Sequence, residues 1–410
     1  MKVTGIIAEY NPFHNGHKYH MEQARAITEA DYVIAVMSGD FVQRGAPAIY
    51  NKYLRTRTAL LSGADLVLEM PVFGSVSSAE DFALCGVSML AHTGIVTHLC
   101  FGSETGNTER LKQAAALYDT ETEDISEKVR KGLKAGLTWP RARELAFADA
   151  ASGTGTDAVS VLSSSPNDIL GCEYIRAISR LKAPMEPVTI KRTDPGYHSK
   201  ERDGAFASAT AARKAILEGD FFFLEKTLPE AFFSCLTEEN CPPVCPDDFS
   251  MLMGDRILSS SLNDLQKVSG MPDDLAAKIY KNRNTFYRTG DLIRASKDRQ
   301  YTYARVSRCL LNLMLGISKE ETAVFKSMDS APWLRILGFR ADAGPLLSAL
   351  KKNASVPVLT KTAHASRILG GDALNLFEKH VLSADRYRMT AELKTGRSTK
   401  NEYTRSLIIV

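Results

Sequence analysis

Short apolar runs alternate with helix-patterned stretches through the first half of this chain, and few folds accommodate that pattern. The apolar, β-prone runs lie at residues 3–7, 32–37, 66–70, 97–101 and 188–191, with helical spacing at 18–28, 52–61, 77–90 and 169–181. The runs lack the apolar–polar alternation of a strand with one wet face, which implies central parallel strands covered by helices on both sides. Strand–helix alternation predicts an α/β fold: a Rossmann-like doubly wound parallel sheet that binds ligands at the carboxyl ends of its strands. Residues 38–47 read as a loop, 108–151 as charge-mixed helix and 152–165 as a Gly/Ser/Thr-rich loop, with Ser165 or Asn167 capping the helix that follows. Beyond about Gly219 the strand signals fade, so the chain is expected to divide into an α/β unit over 1–218 and a mainly helical unit over 219–410.

The first strand runs directly into Tyr10-Asn11-Pro12-Phe13-His14-Asn15-Gly16-His17, and a helix-patterned run follows at once. A strand, a glycine-containing turn and a helix N-terminus together make an anion site, because the first helical amides are unpaired and the helix dipole favours negative charge there. His14 and His17 add side-chain donors, and Gly16 allows close backbone approach. Two other readings stand beside phosphate binding. His14, His17 and His20 are spaced in threes like metal ligands, although no cysteine or carboxylate partners are spaced nearby. A structural turn with incidental histidines is the other.

Composition narrows the class. At 410 residues the chain has room for two domains, and 44% hydrophobic with 24% charged residues is ordinary for a soluble globular protein. The net charge of +3 is too small to argue for nucleic acid by itself. No leader-like segment and no long uncharged apolar run is apparent, which predicts a cytoplasmic protein with no membrane association. Seven scattered cysteines fit free thiols in a reducing compartment. Cys235, Cys241 and Cys245 cluster around Pro242 and Pro243, but their spacing fits no common zinc module.

A second phosphate-friendly element is Ser208-x-Thr210-x-x-Arg213, where hydroxyls at a helix start and an arginine one turn on can reach one anion; an ordinary capped helix is the plainer reading. Further candidates fall at predicted strand ends: Asp40, Gln43 and Arg44 after the second strand, Gly102 after the fourth, Arg192 after the fifth, and Asn167 at a helix start. Their shared position at one sheet edge favours a common site.

The spacing His-x-Gly-His resembles the signature of the nucleotidyltransferase superfamily, in which both imidazoles contact nucleotide phosphates. Ser208-x-Thr210-x-x-Arg213 resembles the Ser-Ser-Thr-x-x-Arg element that holds the departing phosphates there, with Ala209 in place of the second serine. Longer strings are more specific. Residues 5–17, Met37-Ser38-Gly39-Asp40-Phe41-Val42-Gln43-Arg44-Gly45, Ser164-Ser165-Pro166-Asn167-Asp168 and Lys191-Arg192-Thr193-Asp194 resemble the bacterial tRNA(Met) cytidine acetate ligase family along the whole chain. That resemblance implies activation of acetate by ATP as acetyl-adenylate, then acetylation of N4 of the wobble cytidine of elongator methionine tRNA. It places ATP contacts on Ile7, Ala8, Glu9, Tyr10, Asn11, Pro12, Phe13, His14, Asn15, Gly16, His17, Lys18, His20, Gly102, Asn167 and Arg192. On this reading His14 and His17 stabilise charge on the phosphates, Ser208, Thr210 and Arg213 hold pyrophosphate with Mg²⁺, and Asp40 accepts the amine proton.

For the tRNA, basic and aromatic residues interleave over Arg283, Arg288, Arg294, Lys297, Arg299, Tyr301, Tyr303, Arg305 and Arg308, with Gln43 and Arg44 beside the ATP site. A basic tail runs from Arg386 to Arg405. Nothing in the sequence calls for an obligate protein partner. Two alternatives remain: a small-molecule adenylyltransferase, acting on pantetheine phosphate or nicotinate mononucleotide, and an RNA-binding protein with a vestigial nucleotide site. A class I aminoacyl-tRNA synthetase lacks support, because no Lys-Met-Ser-Lys-Ser element is present.

Overall fold

The apolar run after Lys2 becomes the central strand of a parallel sheet. The computed structural model describes residues 1–119, 123–137, 142, 145–147, 166–192, 207–239, 241–298 and 300–410. The expected loop over 152–165, together with Thr193, Asp194 and Arg299, lies outside those residues. Strand β1 (Val3–Ala8) leads to helix α1 (Asn15–Thr28), β2 (Tyr32–Ser38), a ribbon of β3 (Phe41–Val42) and β4 (Ala46–Pro47), helix α2 (Lys52–Leu61) and β5 (Leu66–Met70). The chain then crosses back to β6 (His98–Ser103) and β7 (Glu186–Lys191). Neighbours run β5-β2-β1-β6-β7, all parallel, with Ile6 opposite Ala35 and Gly5 opposite Leu99. The chain moves outward from β1 on one side and then on the other, so the topological switch falls between β1 and β6.

Both faces are covered, as the continuous apolar runs demanded. Val33, Ala35 and Met37 of β2 pack with Met21 and Ala24 of α1 and with Ala59 and Leu60 of α2. Ile34 and Val36 face the other way, toward Phe82, Val87 and Leu90 of the helix Ala79–His92. That second core continues without a break into Leu265, Ile279, Leu310 and Tyr387, so residues on either side of 218 share it.

Several element ends differ from expectation for local reasons. Helix α1 begins three residues early because His14, extended at φ −141°, takes the N-cap. The expected loop at 38–47 holds the antiparallel β3–β4 ribbon, with Phe41 opposite Pro47. Asn167 is not a cap: it is the second residue of the helix Pro166–Leu181, and its Nδ2 donates to Glu104 Oε1 at 2.6 Å. Among the described residues no helix is long and apolar enough to cross a membrane. Cys235 and Cys241 pack in an apolar cluster with Tyr50 and Phe232.

The second half is mainly helical, yet it returns three short strands to the sheet: β8 (Leu334–Phe339), β9 (Val358–Leu359) and β10 (Ile408–Ile409). Strand β8 lies antiparallel to β5, with Glu69 opposite Arg335. Arg335 interrupts its apolar run and reads as a surface residue, but it is 5% exposed. Its Nη1 lies 2.8 Å from Glu69 Oε2, and its Nη2 lies 2.6 Å from Glu402 Oε2. Lys52, fully buried, sits 2.8 Å from Glu69 Oε1 and 2.8 Å from Glu402 Oε2. Tyr53 OH donates to Glu402 Oε1 at 2.9 Å. Burial works against the Lys52 charge, but Glu402 and Glu69 outweigh it and hold the ammonium above its ordinary pKa.

This network fastens the C-terminal segment to the sheet, because a charge stripped of its partner inside the core cannot recover its hydration. Arg335→Met is therefore expected to lower unfolding stability by about 3–5 kcal/mol in urea titration. A loss below about 1 kcal/mol would mean that the buried carboxylates do not depend on this guanidinium.

Candidate functional site

The carboxyl edge of β1 turns through Tyr10, which adopts φ +49°, before α1 begins. Tyr10 and Phe13 are buried, their rings 4.7 Å apart, and both rings abut His17, at 5.0 Å and 5.6 Å between centroids. They floor the turn beneath His17. His14 and His17 stack with centroids 3.7 Å apart and 21° between planes. The His14 amide donates to His17 Nδ1 at 3.3 Å. That bond makes Nδ1 an acceptor and leaves the proton of neutral His17 on Nε2.

Charge is held low on His17 and His20. Burial first, then the neighbouring His14, His20 and Arg192, keep His17 well below the ordinary imidazole pKa. Burial, followed by Arg192, brings His20 down to about 4. The carbonyl of His14 accepts from His17 N at 2.8 Å and Lys18 N at 3.2 Å, while the amides of Asn15 and Gly16 find no partner among the described residues. The neutral His17 beside open helix amides suits an anion whose own charge then favours imidazole protonation.

The second motif meets the first. Ser208 caps the helix Ala209–Glu218, accepting from Ala211 N at 3.2 Å. Arg213 Nη1 donates to the carbonyl of Asn11 at 2.7 Å, and Nη2 donates to Thr210 Oγ1 at 3.1 Å. Asn11 itself is fixed by accepting from Ile49 N at 2.8 Å, and Asn15 Nδ2 donates to Lys226 O at 3.1 Å. The order of these contacts brings residues 11–17 and 208–213 to one place.

The switch point supplies the third wall. Ile7 and Ala8 end β1, and Gly102 and Ile190 lie side by side on β6 and β7. A Cβ on Gly102 would stand 3.3 Å from Arg192 Cγ, so the glycine leaves room where Arg192 leaves its strand. Asn167 and Asp168 lash the loop after β6: Asp168 Oδ1 accepts from Glu104 N at 3.0 Å and Thr105 N at 3.3 Å. Lys18 is exposed, with its ammonium 4.0 Å from Glu22 Oε1.

Two expected site residues do not take the positions their roles require. Asp40 is 6% exposed, accepts from Lys52 N at 2.9 Å, and lies 3.5 Å from Lys52 Nζ. It holds the first amide of α2 and lies buried against Lys52, so it does not stand open to an acceptor amine. Tyr301 is buried, and its hydroxyl donates to the Asp274 carboxylate at 2.7 Å, so it offers no face for a base to stack on. Tyr287, 94% exposed, and Tyr303, 43% exposed, present rings instead. Arg294, Lys297, Arg305 and Arg44 are exposed and Gln43 is half-buried. Arg294 is paired with Asp291 at 2.5 Å.

Arg55 is the site residue that sequence reading missed. Fully buried, it donates to the carbonyls of Tyr50 (3.0 Å), Glu9 (2.7 Å), Ser38 (3.0 Å) and Gly39. A single arginine within a helical run carries no signal for this. An open basin of about 480 Å³ lies at the opposite, amino edge of the sheet. It lacks the convergent donors of the carboxyl edge, and its Arg25 and Arg340 are already paired, with Asp65 at 2.5 Å and Asp342 at 2.9 Å.

Known proteins share this fold. A family model described as HIGH Nucleotidyl Transferase matches residues 1–402. A tRNA(Met) cytidine acetate ligase of Caldanaerobacter subterraneus subsp. tengcongensis is 37% identical over 393 residues, 95% of either chain. One from Acetivibrio thermocellus is 35% identical over the full length of both. Crystal structures of Thermotoga maritima TmcAL superpose over the whole of both chains. The form bound with alpha-thio ATP gives a TM-score of 0.91 at 29% identity, and the apo form gives 0.93 at 30%.

The depressed imidazoles make a pH prediction. Below about pH 6.5 the unfolded chain protonates His17 and His20 while the folded chain resists, so stability falls as pH drops. Melting temperature is expected to decline between about pH 7 and about pH 5, with a shallower decline in His20→Asn. A slope unchanged by that substitution would contradict the burial of a neutral imidazole at position 20.

Proposed function

The chain belongs to the tRNA(Met) cytidine acetate ligase family of HIGH nucleotidyl transferases, and from that premise we propose that it activates acetate with ATP and acetylates N4 of the wobble cytidine of elongator methionine tRNA. The observation that carries this reading is the stacked His14–His17 pair at the start of α1, joined through Asn11 to Arg213 at the switch point. An ATP triphosphate laid there meets the Nε2–H of His17, the open amides of Asn15 and Gly16, and the cations Arg192 and Arg213. The base and ribose then extend toward Ile7 and Gly102.

Acetate is a weak nucleophile whose carboxylate needs no deprotonation at neutral pH. Its oxygen attacks the α-phosphorus in line, and pyrophosphate departs toward Thr210 and Arg213. What the residues supply is alignment and neutralisation of phosphate charge. Mg²⁺ fits as a cation carried on the phosphate oxygens: among the described residues no three His, Cys, Asp or Glu side chains converge as a ready-made site. The cytosine amine then attacks the acetyl carbonyl, and AMP leaves.

The tRNA is received on the side of the helical half. Arg288, Arg294, Lys297 and Arg305 are exposed there, and Tyr287 and Tyr303 offer faces to an unstacked base. We assign residues 219–410 chiefly to that task, and the tRNA acceptor puts the protein in the cytoplasm. A small-molecule adenylyltransferase would leave this surface without a role.

Incubating the protein with unmodified tRNA, Mg²⁺-ATP and isotope-labelled acetate is expected to yield labelled N4-acetylcytidine by nucleoside mass spectrometry, only with ATP present. His14→Ala and His17→Ala are expected to lower the rate by roughly 10²–10³-fold each while the circular dichroism spectrum is retained. No labelled nucleoside from protein that binds tRNA would overturn the ligase reading.

A further inference from the structure

With Asp40 committed to Lys52, the transfer step lacks a proton acceptor. When the cytosine nitrogen bonds to the acetyl carbon, the bond from that carbon to the AMP phosphate oxygen breaks. The electron pair leaves on AMP, and the nitrogen must shed one proton. Among the described residues, Glu69 at the end of β5 is paired with Lys52 and Arg335, and Glu104, Asp168 and Glu9 also lie near the carboxyl edge. Glu104 and Asp168 hold each other's loops, Glu104 accepting from Asn167 Nδ2 and Asp168 N. Glu9 remains.

We infer that Glu9 recognises the acceptor amine and takes its proton, a role that rests on the ligase reading above. Glu9 directly follows β1, ahead of the turn that carries the histidines. Its Oε1 accepts from the Gln43 amide at 2.7 Å, and its Oε2 accepts no hydrogen bond from the described residues. One carboxylate oxygen is therefore fixed and the other is available.

The Gln43 bond also places Glu9 at the seam between the two halves of the chain. Gln43 O accepts from Arg308 Nη1 at 3.2 Å, and Gly45 O accepts from Ser307 Oγ at 2.7 Å. Gly45 adopts φ +77°, and a Cβ there would stand 2.4 Å from the Arg308 backbone nitrogen, so the ribbon tip is keyed to the helix Tyr303–Leu315. The same helix carries Tyr303 and Arg305 of the basic surface. A base delivered from that surface reaches the ATP site past Gln43 and Glu9.

The chemistry suits a cytosine. Its exocyclic amine donates to a carboxylate, whereas a uracil in the same place turns an oxygen toward it. Burial raises the Glu9 carboxyl above its ordinary pKa, against the Gln43 amide and the guanidinium groups of Arg44, Arg213 and Arg55; Tyr174 is its other titratable neighbour. A more basic carboxylate takes a proton more readily, while the arginines limit its repulsion of the anionic adenylate.

The test separates the two half-reactions. Glu9→Gln is expected to bind tRNA and to keep acetate-dependent ATP–pyrophosphate exchange measurable, with exchange falling at least roughly tenfold less than transfer does. Acetyl transfer to tRNA is expected to fall by roughly 10²–10⁴-fold. Glu9→Asp keeps the charge one methylene short and is expected to show the same split with a smaller loss, which serves if the glutamine variant does not fold. Transfer at the wild-type rate by either variant overturns the role, and so does an equal loss of exchange and transfer. Wild-type protein without acetate-dependent exchange would instead overturn the ligase reading itself.

Discussion

A single buried guanidinium holds the site in shape. Arg55 reaches the carbonyls of Glu9, which follows β1, Ser38 and Gly39, which close and follow β2, and Tyr50, which precedes α2. Those carbonyls are the groups a parallel sheet leaves without partners where its strands stop. An unpaired buried carbonyl costs about 1–3 kcal/mol, so collecting four of them stabilises a turn that would otherwise open to water. The turn so fixed carries His14 and His17, and the carbonyl of Glu9 is fastened next to the side chain that faces the acceptor. Fold and chemistry meet at this one residue.

Around it the charges separate by depth. Lys52, Glu69, Arg335 and Glu402 are buried and satisfied by one another, and they anchor the C-terminal segment rather than touching substrate. His14, His17, Arg192 and Arg213 stand at the carboxyl edge, the place we propose for the triphosphate. Asp40 belongs to the first group, buried against Lys52. Glu9 belongs to the second, with one oxygen held and one open.

Sequence patterning was enough for the parallel core, because strands buried on both faces must be apolar throughout, as Ile34 to Met37 and Leu66 to Leu68 are. The strand–turn–helix that carries His14 and His17 was legible for a related reason: it is local, formed by consecutive residues. What escaped was non-local. Strand β8 carries Arg335 inside its apolar run, and only the placement of Glu69 and Glu402 beside that charge accounts for its burial. The roles of Asp40 and Arg55 depend on α2 folding back under β1 and β2, a contact that no spacing records. Tyr301 read as a stacking ring because sequence does not reveal that Asp274 claims its hydroxyl.

The account stands most directly on Arg55 as the residue that preorganises the nucleotide site. Calorimetric titration of ATP into Arg55→Lys tests it, since lysine keeps the charge but cannot span four carbonyls. With the circular dichroism spectrum retained, the expected result is ATP affinity weakened about tenfold or more, equivalent to about 1.4 kcal/mol or more. Wild-type affinity in folded Arg55→Lys would contradict it, and would mean that the histidine turn holds its shape without the guanidinium.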